Sequence, residues 1–428
     1  MNKSDSINIV LSLEASGFKQ VKNEKEAHII ILNTCCVRRH AEERVFGRLG
    51  YYRSLKENGQ ENMIIVLVGC MAQLLGKKVT KLFPEVKVVA GTSHALKIPQ
   101  YVMEYETTRQ KQVFVDRDRY EFSSYGVKRA EKHSAWVNII KGCSNFCSYC
   151  IVPFVRGPEL SKPSDVIVRE AKELSDKGVV EITLLGQNVN AYGRDTGDIS
   201  FARLLEKLNK IDGLRWIRFL TSHPKDFDED IIKSIASCEK VCPWIHLPIQ
   251  SGSDRILNLM NRGYTLKHYM DVVGLLYKYI GDFSITTDII VGFPTETEVD
   301  FQKTLDAIRA IEFDDAFTYM YSSRPHIRAE DLSDKVPHEV AQDRLTQLIT
   351  LQREISLQKN KKELGKTVLG LIERVSKKNP QESLAKTEKA KPVVVVTDSK
   401  PGNFIEICID DLSGATLRAH EVREACRV

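Results

Sequence analysis

Three thiols stand close together at Cys143, Cys147 and Cys150, in the stretch KGCSNFCSYCIVPFVRG (141–157), spaced C-x3-C-x2-C. Thiolates at such spacing ligate a soft metal centre. Structural zinc takes four ligands, and a cuboidal iron–sulfur cluster presents four irons. Three cysteines therefore leave one place to something else. Two readings stand at this point: zinc with a fourth ligand from elsewhere, or a [4Fe–4S] cluster whose open iron binds a small molecule. S-adenosylmethionine suits the second, because its amino and carboxylate groups can chelate that iron. An electron from the cluster then cleaves the sulfonium to give an adenosyl radical.

Two more thiols follow strand-like runs: Cys35 after IIILNT and Cys70 after IIVLVG. Open α/β sheets place their sites at such strand ends. Cys36 adjoins Cys35, but neighbours on an extended chain point opposite ways. Cys238, Cys242, Cys408 and Cys426 have no ligand-like surroundings and read as small buried hydrophobes.

The elements that must position these residues can be read in order. Residues 1–105 alternate helix and short apolar strand (INIVLSLEASGF, AHIIILNTC, AEERVFGRLGYYRSL, MIIVLVGC, VKVVAGT). That pattern predicts a Rossmann- or flavodoxin-like α/β domain with a parallel sheet covered on both faces. SDS near the start is a helix-start signal, so this domain opens on a helix, without a strand ahead of it. Residues 106–133 are polar and read as a connector across the surface. Residues 134–322, within a domain running 134–362, repeat a strand–helix unit six times, with strands at AWVNIIKG, EITLLGQ, RWIRFLTS, WIHLPIQ, FSITTDIIVGFP and AFTYMYS. A partial (β/α)6 barrel follows, with polar motifs at its catalytic, C-terminal face. A long helix is expected over 338–363. Residues 363–428 are short strands broken by SKKNPQES, DSKPGN and DLSG, an all-β OB-like barrel. Lysines crowd its entry at 359, 361, 362, 366, 377, 378, 386, 389 and 391, which points to RNA.

With 428 residues the chain is long enough for about three domains. Its longest apolar runs, such as MIIVLVG at 63–69, are too short for a bilayer, which needs about 20 residues. The start lacks a basic segment followed by an apolar core, so the reading is cytoplasmic. Ten cysteines in such a chain argue for metal or catalysis rather than disulfides.

GCSNFCSYCIVPFVRG, EITLLGQNVNAYG, FLTSHPKDF, HLPIQSGSDRILNLMNRGYT and TDIIVGFPTETEVDF together resemble the radical S-adenosylmethionine methylthiotransferase family. SKKNPQESLAKT in the last domain is most similar to the branch acting on N6-isopentenyladenosine in tRNA. The resemblance implies an auxiliary [4Fe–4S] cluster on the N-terminal domain, a radical cluster on Cys143, Cys147 and Cys150, S-adenosylmethionine as cofactor, and a C-terminal RNA-binding TRAM barrel. The reaction it implies is methylthiolation of adenosine C2 beside the anticodon. The expected substrate is a tRNA anticodon stem-loop carrying isopentenyladenosine. An electron donor and iron–sulfur or sulfur-delivery proteins are expected partners of a monomer, with no membrane. Related enzymes act on threonylcarbamoyladenosine or on an aspartate of a ribosomal protein, and a damaged paralogue would be an RNA-binding iron–sulfur protein.

Cofactor contacts are expected at the strand ends: Gln187 and Asn188, Thr221 with Ser222 and His223, Gln250 with Ser251, and Gly292 with Phe293 and Pro294. Each is equally readable as a loop cap or satisfied core group, and His223 as a packed residue. Departures from the family pattern are also visible. The family opens on a strand leading to a first auxiliary cysteine, whereas here Cys35 and Cys70 match and Cys36 is the candidate substitute. Pro158, Leu160 and Lys162 replace basic or arginine residues, Thr295 replaces a glycine in GFPTETE, and SSRPHIRAED lacks the usual Gly-Thr.

Overall fold

The computed structural model describes residues 2–36, 39–116, 122, 132–377 and 379–422. Cys426 and Lys378 lie outside them. The chain divides into two compact units. One holds the described residues within 1–130, 140–162 and 322–330. The other holds those within 131–139, 163–321 and 331–428.

In the first unit, strands β1 (Ile29–Thr34), β2 (Ile64–Gly69), β3 (Val86–Ala90) and β4 (Gln112–Phe114) form a parallel sheet in that order. β2 is buried at every residue, the mark of a strand covered on both faces. Helices α1 (Asn2–Ala15) and α5 (Ile98–Thr108) cover one face through Ile9, Ile98, Tyr101 and Val102. On the other face, α2 (Arg39–Glu57), α3 (Cys70–Leu75) and α4 (Lys77–Leu82) pack through Leu49, Tyr52, Ala72 and Val79. β1 pairs directly with β2 from Ile29↔Ile64 to Thr34↔Gly69. Two expectations are corrected. Residues 112–114 are a strand of this sheet and not connector, and α5 runs past residue 105. QVF is too short and too closely flanked by charge to carry a readable alternation. The remaining residues of the expected connector lie mostly outside the described ones.

The expected barrel boundary is also cut. Residues 140–162, which carry the three-cysteine motif, pack with the N-terminal domain. Arg156 and Lys141 share the carboxylate of Asp5, Thr92 Oγ1 donates to the Val155 carbonyl at 2.6 Å, and Arg324 pairs with Glu42 at 3.2 Å.

In the second unit, six parallel strands run in sequence as two groups of three. β5 (Ser134–Asn138), β6 (Glu181–Leu185) and β7 (Trp216–Phe219) make one; β8 (Trp244–His246), β9 (Ser284–Val291) and β10 (Asp315–Met320) make the other. All six coincide with apolar runs of the sequence. Capping starts the intervening helices: Ser200 accepts from the Arg203 N–H, Asp228 from the Ile231 N–H, and Thr297 with Asp300 forms a full capping box. A long helix spans His338–Lys361, as expected.

The last five strands, β11 (Thr367–Val375), β12 (Glu382–Thr387), β13 (Pro392–Val396), β14 (Phe404–Ser413) and β15 (Thr416–Glu421), close a barrel in the order β11-β12-β13-β15-β14. Burial alternates along β12, and Ala385, Val393, Val395, Ile407 and Leu417 fill the interior. The β13–β15 pair is parallel and the others antiparallel.

Several of the lysines read as an RNA face make ion pairs here instead, and three of them fasten this barrel. Lys359 and Lys391 both reach Asp314, at 2.7 and 2.8 Å. Lys389 pairs with Asp282 at 2.5 Å and Lys386 with Glu181 at 3.4 Å. Lys362 and Lys366 pair with Glu312 and Glu363. A buried Arg218–Glu181 pair at 2.8 Å also donates to the carbonyls of Thr387 and Glu388. Lys386, Lys389 and Lys391 are docking groups, a role that their spacing in the sequence cannot reveal.

Candidate iron–sulfur and cofactor sites

The three-cysteine loop is built from its ends inward. A two-residue ladder pairs Ile140 with Ser161 and Lys141 with Leu160. Gly142, at φ 73°, passes against the Pro158 carbonyl so closely that a Cβ would collide with it. The Cys143 N–H donates to Gly157 O at 3.1 Å, and the Cys150 N–H to Cys147 O at 2.9 Å. Residues 152–156 then form a short helix, α6 (Val152–Arg156). Cys147 is buried, and Cys143 and Cys150 are half-buried. Asn145 Nδ2 points to Cys143 Sγ at 3.6 Å, and burial pushes the Cys143 thiol up to about 11. Phe146 sits left-handed at φ 46° and 46% exposed.

In a cuboidal cluster each thiolate takes a different iron. The donor set, all sulfur on a tight backbone frame, fits the cluster.

Cys35 and Cys70 follow the last register pair of β1 and β2, Thr34↔Gly69. Gly69, at φ 98°, lets the turn pass within 2.6 Å of the Thr34 carbonyl, measured to the position a Cβ would take. Thr34 Oγ1 ties the same two strands by donating to Val68 O at 2.7 Å. β1 ends before Cys35, so strand alternation no longer governs Cys36. Its buried thiol hydrogen-bonds Cys70, and Cys35 lies near enough to act on it electrostatically. The expectation that Cys36 turns away is thereby corrected. The contact from Cys36, against burial and with help from Arg156, lowers the Cys70 thiol, while Cys36 is raised in return.

In the second unit the expected cofactor residues follow their strands. Thr221 and Gln250 adopt left-handed φ values of 71° and 66°, uncommon for residues with a Cβ and frequent at functional sites. Among the described residues, Ser222 Oγ, His223 Nε2 and Gln250 Oε1 are buried without a hydrogen-bond partner. Three such atoms at strand ends fit a polar ligand. Burial, then Arg262 and Lys225, hold His223 far below its ordinary range, so it is neutral. Other expected contact residues also bond within the protein. Asn188 donates to Asp226 at 2.8 Å. Ser251 pairs with Thr304 at 3.3 Å. The Gly292 N–H donates to Glu296, which Arg344 clamps at 2.8 Å. Gln187 is half-buried. Asn190, which exchanges bonds with the His223 backbone at 2.8 and 2.9 Å, carries no signal in the sequence. Nor do Arg156 and Arg344, which only tertiary contact reveals. Cys238 and Cys242 are buried as expected, and Cys408 is only half-buried.

The Radical SAM superfamily model matches residues 137–308, and the model described as "Uncharacterized protein family UPF0004" matches residues 1–91. The tRNA-2-methylthio-N(6)-dimethylallyladenosine synthase of Moorella thermoacetica is 42% identical, over 95% of this chain and 93% of its own. The synthase of the same name from Caldicellulosiruptor saccharolyticus is 47% identical, over 89% of this chain and 81% of its own. A solved radical S-adenosylmethionine methyltransferase, TsrM of Kitasatospora setae, superposes with a TM-score of 0.53 at 12% identity, over 86% of this chain and 70% of its own, and so shares the fold. With 42–47% identity to the synthases over most of the chain, a radical SAM match and a thiol loop suited to a cluster, the chain belongs to the tRNA-2-methylthio-N(6)-dimethylallyladenosine synthase family.

Proposed function

We propose that this protein is a transferase that adds a methylthio group to C2 of N6-dimethylallyladenosine (N6-isopentenyladenosine) beside the anticodon of tRNA. The observation that carries the reading is that one compact unit holds two separate thiol sets, Cys143, Cys147 and Cys150 in one and Cys35, Cys36 and Cys70 in the other. A reaction that joins C–H cleavage to sulfur transfer needs both. Cys143, Cys147 and Cys150 would hold the radical [4Fe–4S] cluster. Cys35 and Cys70, with Cys36 as third thiol, would hold the auxiliary one. With S-adenosylmethionine these clusters supply the radical chemistry that an aromatic C–H demands and that side-chain acid–base catalysis cannot reach.

The chain's own contribution is binding and orientation. Gly142 and the ladder at 140–141 and 160–161 hold the thiol loop closed. In the second unit, Ser222, His223 and Gln250 carry buried polar atoms at the strand ends that suit a polar ligand, and with Gln187, Asn188, Thr221 and Gly292 they are the proposed S-adenosylmethionine contacts. His223, being neutral, presents an imidazole and not a cation. The C-terminal barrel is assigned as a TRAM module and residues 1–105 as the methylthiotransferase domain. A target base in a single-stranded loop can be splayed out and stacked by protein. We place the protein in the cytoplasm as a monomer supplied by separate electron and sulfur donors; no described helix is long and apolar enough to cross a membrane.

The test is a nucleoside profile by mass spectrometry of tRNA from cells lacking their own methylthiotransferase and expressing this chain. The expected product is 2-methylthio-N6-isopentenyladenosine. Accumulation of N6-isopentenyladenosine alone would overturn the reading.

A further inference from the structure

Arg156 ends α6, the helix that follows the three-cysteine loop, and its side chain is only 10% exposed. Burying a guanidinium is costly unless it is paired and hydrogen-bonded. It is both. Its Nη2 donates to Asp5 Oδ2 on α1 at 2.8 Å; α6 packs against α3, whose first residue is Cys70, and the guanidinium lies near enough to that thiol to help lower it. Lys141, 4% exposed, stands 3.8 Å from the other oxygen of Asp5. Two buried cations thus face one carboxylate, and the surplus positive charge lies against Cys70. A planar fork serves a carboxylate and a sulfur at once, which an ammonium cannot do as well.

We infer that Arg156 is a positioning residue for the cluster that Cys70 ligates: held by Asp5, it donates a hydrogen bond to Cys70 Sγ, ties the segment bearing Cys143, Cys147 and Cys150 to the second thiol set, and raises that cluster's reduction potential. The inference rests on the assignment of Cys70 given above. Its physical basis is that hydrogen bonds to sulfur and nearby charge set the potential of an iron–sulfur cluster. Reduction adds one negative charge to the cluster, and an adjacent cation stabilises the more negative state.

The experiment uses the full chain reconstituted with iron and sulfide, titrated redox-wise and followed by electron paramagnetic resonance. Cys70→Ala identifies which signal belongs to the second cluster. Arg156→Gln should then move the midpoint of that signal to lower potential while the radical cluster's midpoint stays in place. Arg156→Lys, which keeps the charge and loses the fork, should recover part of the shift. Unchanged midpoints in both folded variants would overturn the inference while leaving the Cys70 assignment intact. If Cys70→Ala removes no signal, the assignment falls and the inference with it. Should the arginine variants fail to fold, the unsubstituted chain labelled with 15N-arginine decides: a nitrogen coupling to the second cluster is expected in pulsed resonance, and its absence overturns the inference.

Discussion

Thr295 stands at φ 69° in the turn after β9, a conformation that favours glycine. A β-branched residue in the left-handed region is strained by about 2 kcal/mol. Arg255 offsets part of that by donating to the Thr295 hydroxyl at 3.1 Å and to its carbonyl at 2.6 Å. Thr295→Gly keeps the carbonyl bond and removes the strain, at an entropic cost of about 0.5–1 kcal/mol. We expect a net gain of about 1 kcal/mol, read as a higher Tm; a lower Tm would mean that the hydroxyl contact dominates. His223 makes a separate prediction. Burial, with Arg262 and Lys225, depresses its folded pKa below the ordinary 6.5. The unfolded chain then binds the extra proton first, so stability is complete above about pH 6.5 and declines as pH falls below it, by up to about 1.4 kcal/mol per pH unit. His223→Gln should flatten this slope in denaturant titrations between about pH 6.5 and 4. An unchanged slope would assign the acid loss to other groups.

At the scale of elements, the auxiliary thiols depend on one turn. Gly69 combines φ 98° with a Cβ position 2.6 Å from the Thr34 carbonyl, so it meets both strain and collision on substitution. Gly69→Ala should cost about 1–3 kcal/mol and displace Cys70, read as a lower urea midpoint together with loss of about four irons per reconstituted chain. Full iron content with a lowered midpoint would separate the fold from the site. This turn also marks how far the sequence can be read. The six barrel strands, the last barrel and the placement of Cys35 and Cys70 at strand ends are visible there, because continuous or alternating burial leaves a period in the apolar residues. β4 is not, since three residues carry no period. The contact of Cys36 with Cys70 is not either, because alternation predicts direction only within a strand, and β1 stops at Thr34. The strained Thr221 and Gln250 can be named as strand-end residues but not as backbone outliers, since φ is set by the surrounding turn.

At the scale of the whole molecule, the meaning of charge changes most between sequence and structure. The lysines near the C-terminal barrel look like an RNA face when read along the chain. Yet Glu181, Asp282 and Asp314, the carboxylates that meet Lys386, Lys389 and Lys391, stand at or just before the starts of β6, β9 and β10, far away in sequence. Glu312, two residues ahead of Asp314, pairs with Lys362 at 3.7 Å. Only folding brings these groups together. Burial works against the charge of Asp314, but Lys391 and Lys359 outweigh it and hold the carboxyl below its ordinary 3.8. Because the folded pKa of Asp314 is depressed, its contribution is complete above about pH 4 and is lost as pH falls through the folded value. Asp314→Asn strands two lysines and should cost about 3 kcal/mol, read as a lower Tm at neutral pH. The same geometry predicts how RNA binding responds to salt. A lysine that neutralises a phosphate releases a counterion and steepens the salt dependence by about 0.7–0.9 per contact. Lys391, bound to Asp314 and Asn360, has no charge left to give. Lys361 and Lys377 are exposed, and the described residues give them no ion pair. In tRNA binding measured across a salt series, Lys391→Gln should leave the slope unchanged even as it lowers the Tm. Lys361→Gln or Lys377→Gln should leave the Tm unchanged, and whichever of them meets a phosphate should lower the slope by about one contact. A reduced slope in Lys391→Gln would return that lysine to the RNA face that the sequence suggests and would remove it from the docking of the barrel.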